Sequence, residues 1–312
     1  MNISLTQLEY ILAIDTYRHF AKAAEACLVT QPTLSMQLKK LEEDLKISIF
    51  DRSKQPIIPT DAGKALIEQA RIVIREAKKL EQISKQFDDS FEGRFSIGII
   101  PTIAPYLLPY FISDFLKKYK KIKLIIQELT TEEIILKLNR DEIDAAILAT
   151  PLHENNIIEE PLFYEEIKVY AHYNHPLIKK KSLEHEDIQR DDIWMLSKGN
   201  CFRNQVINIC TNPIRMNDQL KYESGSIETL KKMVEMEGGF TLLPELAVLE
   251  LPAKKLNQVI EFRKPKPLRE ISIVYARSVV KKKFIDVLKK LITENIPEEL
   301  INRKRGTVVE WK

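Results

Sequence analysis

The sequence predicts an α+β multidomain chain: a winged helix-turn-helix at the N-terminus, a long dimerisation helix, and a two-lobed α/β regulatory domain like that of periplasmic binding proteins. Three observations carry this prediction. Two short helical periods flank the break "VTQ" within the first 45 residues. From Thr60 one apolar stripe runs on for about 25 residues with coiled-coil spacing. After "DDSFEG" the pattern changes to alternating strands and helices.

"TQLEYILAIDTY" places Leu8, Ile11, Leu12 and Tyr10 or Ile14 at helical spacing, and "HFAKAAEACL" sets Phe20, Ala23, Ala24 and Cys27 on one face. Cys27 therefore reads as core packing. In "PTLSMQLKKLEEDL" Thr30 can cap the helix, and Pro32 is tolerated in a first turn whose N–H groups have no partner. Leu34, Leu38, Leu41 and Leu45 form the apolar stripe. "SIFDRSKQPIIPT" has the composition of a β-wing with Arg52 and Lys54 at its tip. In the long segment that follows, Ala62, Leu66, Ala70, Val73, Ala77, Leu80 and Ile83 alternate by three and four. Such a stripe on a small domain calls for a second copy of the chain, so a dimer is expected.

Downstream, "RFSIGII", "IKLIIQEL" and "IDAAILAT" read as strands separated by the helices "APYLLPYFISDFLKKY" and "TEEIILKLNR", which are βαβ units of a mostly parallel sheet. A second set begins near residue 166, with strands at "EIKVYAHY", "WMLS", "QLKYES", "FTLLP" and "QVIEF" and a helix at "SIETLKKMVEMEG". The strand "EISIVYARS" and helix "KKKFIDVLKKLITENI" close the fold. The expected domains are 1–59 (DNA-binding), 60–90 (dimerisation helix), 91–165 completed by 269–300 (first lobe), 166–268 (second lobe) and a basic tail, 301–312. Two such lobes leave a cleft at strand ends, the usual place for a small ligand.

The formal net charge is +3, but residues 1–90 balance 13 Lys/Arg against 13 Asp/Glu, and the tail "INRKRGTVVEWK" alone accounts for the excess. Bulk charge therefore gives no argument for nucleic acid, and the placement of individual charges must carry it. No apolar run approaches the ~20 residues of a membrane span, and the N-terminus lacks the basic start of a signal peptide, so a cytoplasmic protein with no membrane partner is expected. Three cysteines are too few for a disulfide scaffold. The absence of a glycine-rich nucleotide loop, H-E-x-x-H and G-x-S-x-G argues against an enzyme. The scattered histidines argue against a metal, and no cofactor is expected; His172 and His175 read as surface residues.

Gln31, Thr33, Ser35 and Gln37 open the second motif helix and can reach base edges or phosphates, with Pro32 setting the entry of the chain. Arg52 and Lys54, with Lys39 or Lys40, are candidates for phosphate contact.

"SKGNCFRNQVINIC" places Cys201 and Cys210 nine residues apart with Arg203 between them. On residues alone the choice between a reactive pair and two core side chains stays open, since a cysteine within "VINIC" is more often a quiet apolar residue. In one continuous helix the two would point to opposite faces about 13.5 Å apart along the axis. A disulfide needs Cα atoms within ~7 Å, so a bond would require local unfolding. Cys201 follows Gly199–Asn200 near an expected helix start, where backbone N–H groups and a cationic neighbour favour a thiolate. Thr102 at a strand end and Thr131 at a helix start could both face the cleft. N-capping is the plainer role for the threonines, and a solvated surface charge for Arg269.

The segments "FAKAAEACLVTQPTLSMQLKKLEEDL", "IFDRS" and "PTDAG" resemble the N-terminal half of the LysR-type regulators. "IGIIPTIAPYLLPY", "GNCFRNQVINIC", "SIETLKKMV" and "GGFTLLPELAV" resemble the peroxide-sensing branch of that family, and the likeness spans about residues 3–295. The resemblance implies a transcriptional regulator in which Cys201 reacts with hydrogen peroxide and Cys210 resolves it as a Cys201–Cys210 disulfide. It also implies that Thr102, Thr131 and Arg269 surround the reactive sulfur. The partners it implies are promoter DNA, a second copy in a dimer or tetramer, and RNA polymerase, with antioxidant genes under control. Asn200, Asn204 and Gln127 stand where the branch often has histidine, aspartate and histidine, and an amide cannot shuttle a proton near pH 7. A regulator that senses a metabolite in the cleft, with the cysteines incidental, is the alternative.

Overall fold

The computed structural model describes residues 3–85, 92–209, 225–279 and 281–310, and the chain divides into two compact units, residues 1–90 and 91–312. In the first, α1 (Leu5–Tyr17), α2 (Phe20–Ala26) and α3 (Gln31–Leu45) precede the strands β1 (Phe50–Asp51) and β2 (Ile58–Pro59) and the long α4 (Asp61–Lys85). Ser4 and Gln7 form a capping box at α1, and the Thr30 hydroxyl accepts from the Thr33 N–H at α3, with Pro32 in the first turn. Leu8, Ile11, Ile14, Ala23, Leu34, Leu38 and Leu41 form the core. Cys27 lies just past the end of α2 and is only half-buried at the margin of this cluster, because the helix stops before it reaches the packed face.

The wing is a two-stranded antiparallel ribbon. Glu42 of α3 accepts from the Ile49 and Phe50 N–H groups and pairs with Arg52 at 2.6 Å, which ties the wing to the helix. α4 crosses so close that a Cβ on Gly63 would lie 1.9 Å from the Ile49 carbonyl oxygen; only glycine fits. The expected single stripe of α4 is in fact two. Ile67, Ala70 and Ile74 are buried in the unit's own core, while Val73 and Leu80 remain exposed. Arg71 reaches in from the same helix to the buried Asp15 of α1.

The second unit opens with β3 (Gly93–Ile99), α5 (Ala104–Lys118), β4 (Ile122–Glu128), α6 (Thr131–Asn139), β5 (Ala145–Thr150) and β6 (Ile157–Ala171). It continues through α7 (Cys201–Ile209), α8 (Ile227–Glu237), β7 (Phe240–Pro244), α9 (Glu245–Leu249), β8 (Val259–Ile260), β9 (Lys266–Ala276), α10 (Lys282–Asn295) and β10 (Gly306–Val308). The strand order is β4-β3-β5-β9-β6-β7, with β10 on β9 and β8 on β6.

The sheet is mixed rather than mostly parallel. β3 pairs in parallel with β4 and β5, but β5–β9, β6–β9, β6–β7 and β6–β8 are all antiparallel. Helical crossovers give parallel pairing among the first three strands and again between β9 and β10, which α10 separates in the chain. β6 and β9 are long strands, and both pass through the positions expected as lobe boundaries. "WMLS" forms no strand; its neighbour Ile193 makes a single bridge to Phe240. "QVIEF" holds only the two-residue β8, and "QLKYES" lies outside the described residues. His175 is buried, not at the surface: its Nδ1 accepts from the Leu177 N–H and its Nε2 lies 2.8 Å from Asp192.

Candidate functional site

The site in the second unit is assembled from four separate elements. Cys201 is the first residue of α7. Gly199, two residues before it, has φ +86°, and the Asn200 side-chain oxygen accepts from the Phe202 N–H, so the loop turns sharply into the helix. The expected cationic neighbour is not Arg203, whose guanidinium turns away to the Leu196 carbonyl. It is Arg269, on β9. The Arg269 Nη2 donates to Thr102 Oγ1 at 2.7 Å and reaches Cys201 Sγ at 3.6 Å. Its guanidinium also stacks over the Phe202 ring, 5.1 Å from the centroid.

Arg269 is wholly buried, so the surface-charge role is excluded. The countercharge is Glu165 on β6, also buried, whose Oε1 lies 3.4 Å from Arg269 Nη1 and whose Oε2 accepts from the Leu246 N–H. Burial pushes the Glu165 carboxyl up to about 7, with the Arg269 guanidinium acting in the opposite direction. Nothing in the sequence singles out this glutamate, because the contact joins strands far apart in the chain.

Thr131 does not cap α6. Thr130 does, in a capping box with Glu133, which leaves the buried Thr131 hydroxyl without a hydrogen-bond partner among the described residues. Arg269 Nε is likewise unpartnered. Orphaned buried donors are costly and uncommon, and they signal a missing partner. A cleft of about 110 Å³ lies here, lined by Thr131, Pro101, Lys198, Asn200, Cys201 and Gly225 among others. It has room for several waters or one small polar molecule. Gln127 is engaged elsewhere, donating to Ser96 across the sheet. Among the described residues no group of three or more metal-ligating side chains converges, and no helix is long and apolar enough to cross a membrane.

Cys210 lies outside the described residues. The described helix before it, Cys201–Ile209, spans about 12 Å between its terminal Cα atoms, well beyond the ~7 Å that a disulfide bridges.

In the first unit, Gln31, Lys39 and Lys54 are exposed and Thr33 and Ser35 half-buried. Gln37 is taken up by a bond from Gln7 of α1, Lys39 pairs loosely with Glu43, and Arg52 pairs with Glu42 while lying over Phe20. Beside the wing the fold brings Arg18, His19 and Lys22 into one cleft with Gln31, Arg52 and Lys54. The sequence pattern does not reveal this grouping, since Arg18 and the wing are joined only by tertiary contact, such as the bond from the Ile57 N–H to the Arg18 carbonyl. Met36 is 61 % exposed on the outer face of α3, an apolar group among polar ones and suited to a thymine methyl.

A helix-turn-helix unit and a sheet unit with a buried, cation-paired thiol define a DNA-binding regulator with its own sensory domain, and the chain belongs to the LysR family. Residues 5–64 match the bacterial regulatory helix-turn-helix of the lysR family, and residues 88–295 the LysR substrate binding domain. Within that family the chain is 35 % identical over 276 residues to a hydrogen peroxide-inducible genes activator of Dickeya chrysanthemi, covering 88 % of this chain and 89 % of the relative. It is 34 % identical to the DNA-binding transcriptional dual regulator OxyR of Escherichia coli over 275 residues, with 88 % and 89 % covered. A full-length OxyR of Pseudomonas aeruginosa carrying a cysteine-to-aspartate substitution superposes with a TM-score of 0.79 at 32 % identity, covering 95 % of this chain and 99 % of that one. A cysteine-to-serine OxyR of Corynebacterium glutamicum with H2O2 bound superposes at 0.58 and 26 % identity, with 95 % and 94 % covered.

Proposed function

We propose that this chain is a cytoplasmic, DNA-binding transcriptional regulator that senses hydrogen peroxide through Cys201 and a reversible Cys201–Cys210 disulfide, and controls antioxidant genes. The observation that carries the reading is the Arg269 guanidinium within reach of the Cys201 sulfur, beside a small cleft with an unsatisfied threonine hydroxyl. The nucleophile is the Cys201 sulfur, with the Arg269 guanidinium beside it. Attack on one peroxide oxygen breaks the O–O bond, leaving a sulfenic acid on Cys201 and hydroxide, which takes a proton to become water. Thr131, Thr102 and Arg269 are the donors for the two oxygens as charge passes to the one that leaves. Attack of the Cys210 thiol on the sulfenic sulfur then forms the disulfide and releases a second water. The chemistry is stoichiometric signalling, not turnover.

On the DNA side, Gln31, Thr33 and Ser35 at the start of α3 are the base-reading residues, with Pro32 setting the approach. Lys39, Lys54 and Arg52 bind phosphate, Arg52 by exchanging Glu42 for the backbone. Gln37 holds α3 to α1 and contributes through position. The exposed stripe on α4, with Val73 37 % and Leu80 71 % exposed, supports a dimer through that helix. Two such dimers would make a tetramer on promoter DNA, where RNA polymerase is the further partner.

Mass mapping of differentially alkylated protein, before and after about one equivalent of peroxide, tests the sensor. A Cys201–Cys210 disulfide with Cys27 still free is expected. A Cys201 that remains a thiol would sink the reading.

A further inference from the structure

The basic tail is folded. β10 adds to β9 in parallel, with Gly306, Thr307 and Val308 opposite Lys266, Pro267 and Leu268. The approach is tight: a Cβ on Gly306 would lie 2.0 Å from the Lys266 carbonyl oxygen. Arg305, just before the strand, donates to Glu166 at 2.9 Å and to Glu245 at 2.7 Å. Beyond the strand the Val309 N–H donates to the Leu268 carbonyl at 2.8 Å. The next contacts are with α7. Gln205 Nε2 donates to the Val309 carbonyl at 3.0 Å, and Asn208 Nδ2 to the Glu310 carbonyl at 2.7 Å. The match to the family's LysR substrate binding domain ends at residue 295, so this strap lies outside it.

The tail thus runs between the strand that carries Arg269 and the helix that carries Cys201. It holds that helix at Gln205, one turn from Cys201, and at Asn208 near the far end. Other side-chain ties on α7 among the described residues include Arg203 Nη1 to the Leu196 carbonyl and His185 Nδ1, 3.2 Å from the Ile209 carbonyl.

We propose that residues 306–310 are a positioning strap for the Cys201 site, which keeps α7 helical and so opposes closure of the disulfide. The inference rests on the redox reading above. Because an intact α7 spans more than a disulfide bridges, any contact that stabilises its C-terminal half raises the threshold for the second chemical step. The first step occurs at the N-terminal end of the helix and depends on the Arg269 side chain, which bonds to Thr102, Glu165 and Cys201 rather than to the strap. Peroxide would then have to outlast a mechanical check: a sulfenic acid forms, and commits to a disulfide only when the strap lets go.

Three full-length variants or near-variants test this. Gly306→Val drives β10 off β9, Asn208→Ala removes one tie at an exposed side chain without touching the strand, and a stop after Arg305 removes the strap while keeping the ion pairs. Amide exchange in the α7 peptide is read on the reduced proteins without peroxide, so the result does not depend on the redox chemistry. Loss of the strap should speed that exchange roughly 5- to 30-fold, as expected for a loss of one or two modest interactions. In stopped-flow reactions with peroxide, the disulfide step should accelerate by a similar factor, with sulfenic acid formation little changed. Asn208→Ala should move both readouts in the same direction by less. Unchanged exchange in Asn208→Ala and in the truncated chain would overturn the strap. Faster exchange with an unchanged disulfide step would overturn its control of the switch. Failure of the unmodified protein to form the disulfide would instead overturn the redox reading itself.

Discussion

Arg269 Nη2 lies 3.6 Å from Cys201 Sγ, across 68 positions of sequence, and the same nitrogen donates to Thr102 at 2.7 Å. One guanidinium therefore joins a strand, a loop and a helix start at the reactive sulfur. Arginine suits this post because its planar fork serves several acceptors at fixed angles and stays charged when buried.

Arg269→Lys keeps the charge and loses the fork. Oxidation of Cys201 by peroxide should slow by about 100-fold, the typical effect of losing a well-placed donor at a developing charge. Arg269→Ala should in addition destabilise the second unit by ~3–5 kcal/mol, because it leaves Glu165 buried without its partner. Stopped-flow oxidation and thermal melts separate the two effects; a Lys variant that reacts at the original rate would remove Arg269 from the chemistry.

Thr131→Val should move stability and reactivity in opposite directions. The hydroxyl has no partner in the fold, so an isosteric methyl should be neutral or stabilising by up to ~1 kcal/mol. The rate with peroxide should fall by about tenfold or more. Parallel loss of melting temperature and rate would mean that the hydroxyl serves packing only.

Glu165 supplies a pH dependence. The folded chain holds its proton up to about pH 7, where an unfolded chain releases it near 4.5. The folded state therefore binds more protons across that window, and stability contributed by this group declines as pH rises from 4.5 to 7. Above 7 the carboxylate also offsets the Arg269 charge felt by Cys201. Alkylation of Cys201 against pH should show an inflection near 7 that Glu165→Gln abolishes, and the variant's melting temperature should fall less between pH 5 and 8. Identical profiles for the two proteins would assign Glu165 to packing alone.

Leu80→Glu should dissociate the proposed dimer while leaving the first unit folded, since Leu80 is 71 % exposed and outside its core. Sedimentation would show a monomer, and affinity for a two-half-site promoter should drop by more than about tenfold as avidity is lost. A variant that stays dimeric would place the interface elsewhere.

Much of this was legible in the residues. The capping by Thr30, the stripe of Leu34, Leu38 and Leu41, the strand and helix order from β3 to β5, and the placement of Cys201 at a helix start are local consequences of side-chain type and spacing. Such features need information from only a few neighbouring positions. The family likeness carried Thr102, Thr131 and Arg269 as a group, which spacing alone could not.

Tertiary structure decided the rest. It chose Arg269 over the nearer Arg203 as the cation at the sulfur, and it set Glu165 beneath it. It gave the capping role to Thr130 and left the Thr131 hydroxyl free, and it turned a seemingly loose basic tail into a strand bound to β9 and α7. These outcomes depend on strands that pair across a hundred or so residues and on which polar groups are shut away from water. Sequence periodicity fixes which face of an element is apolar. Only packing decides which element that face meets, and therefore which buried charge finds a partner and which donor is left waiting for one.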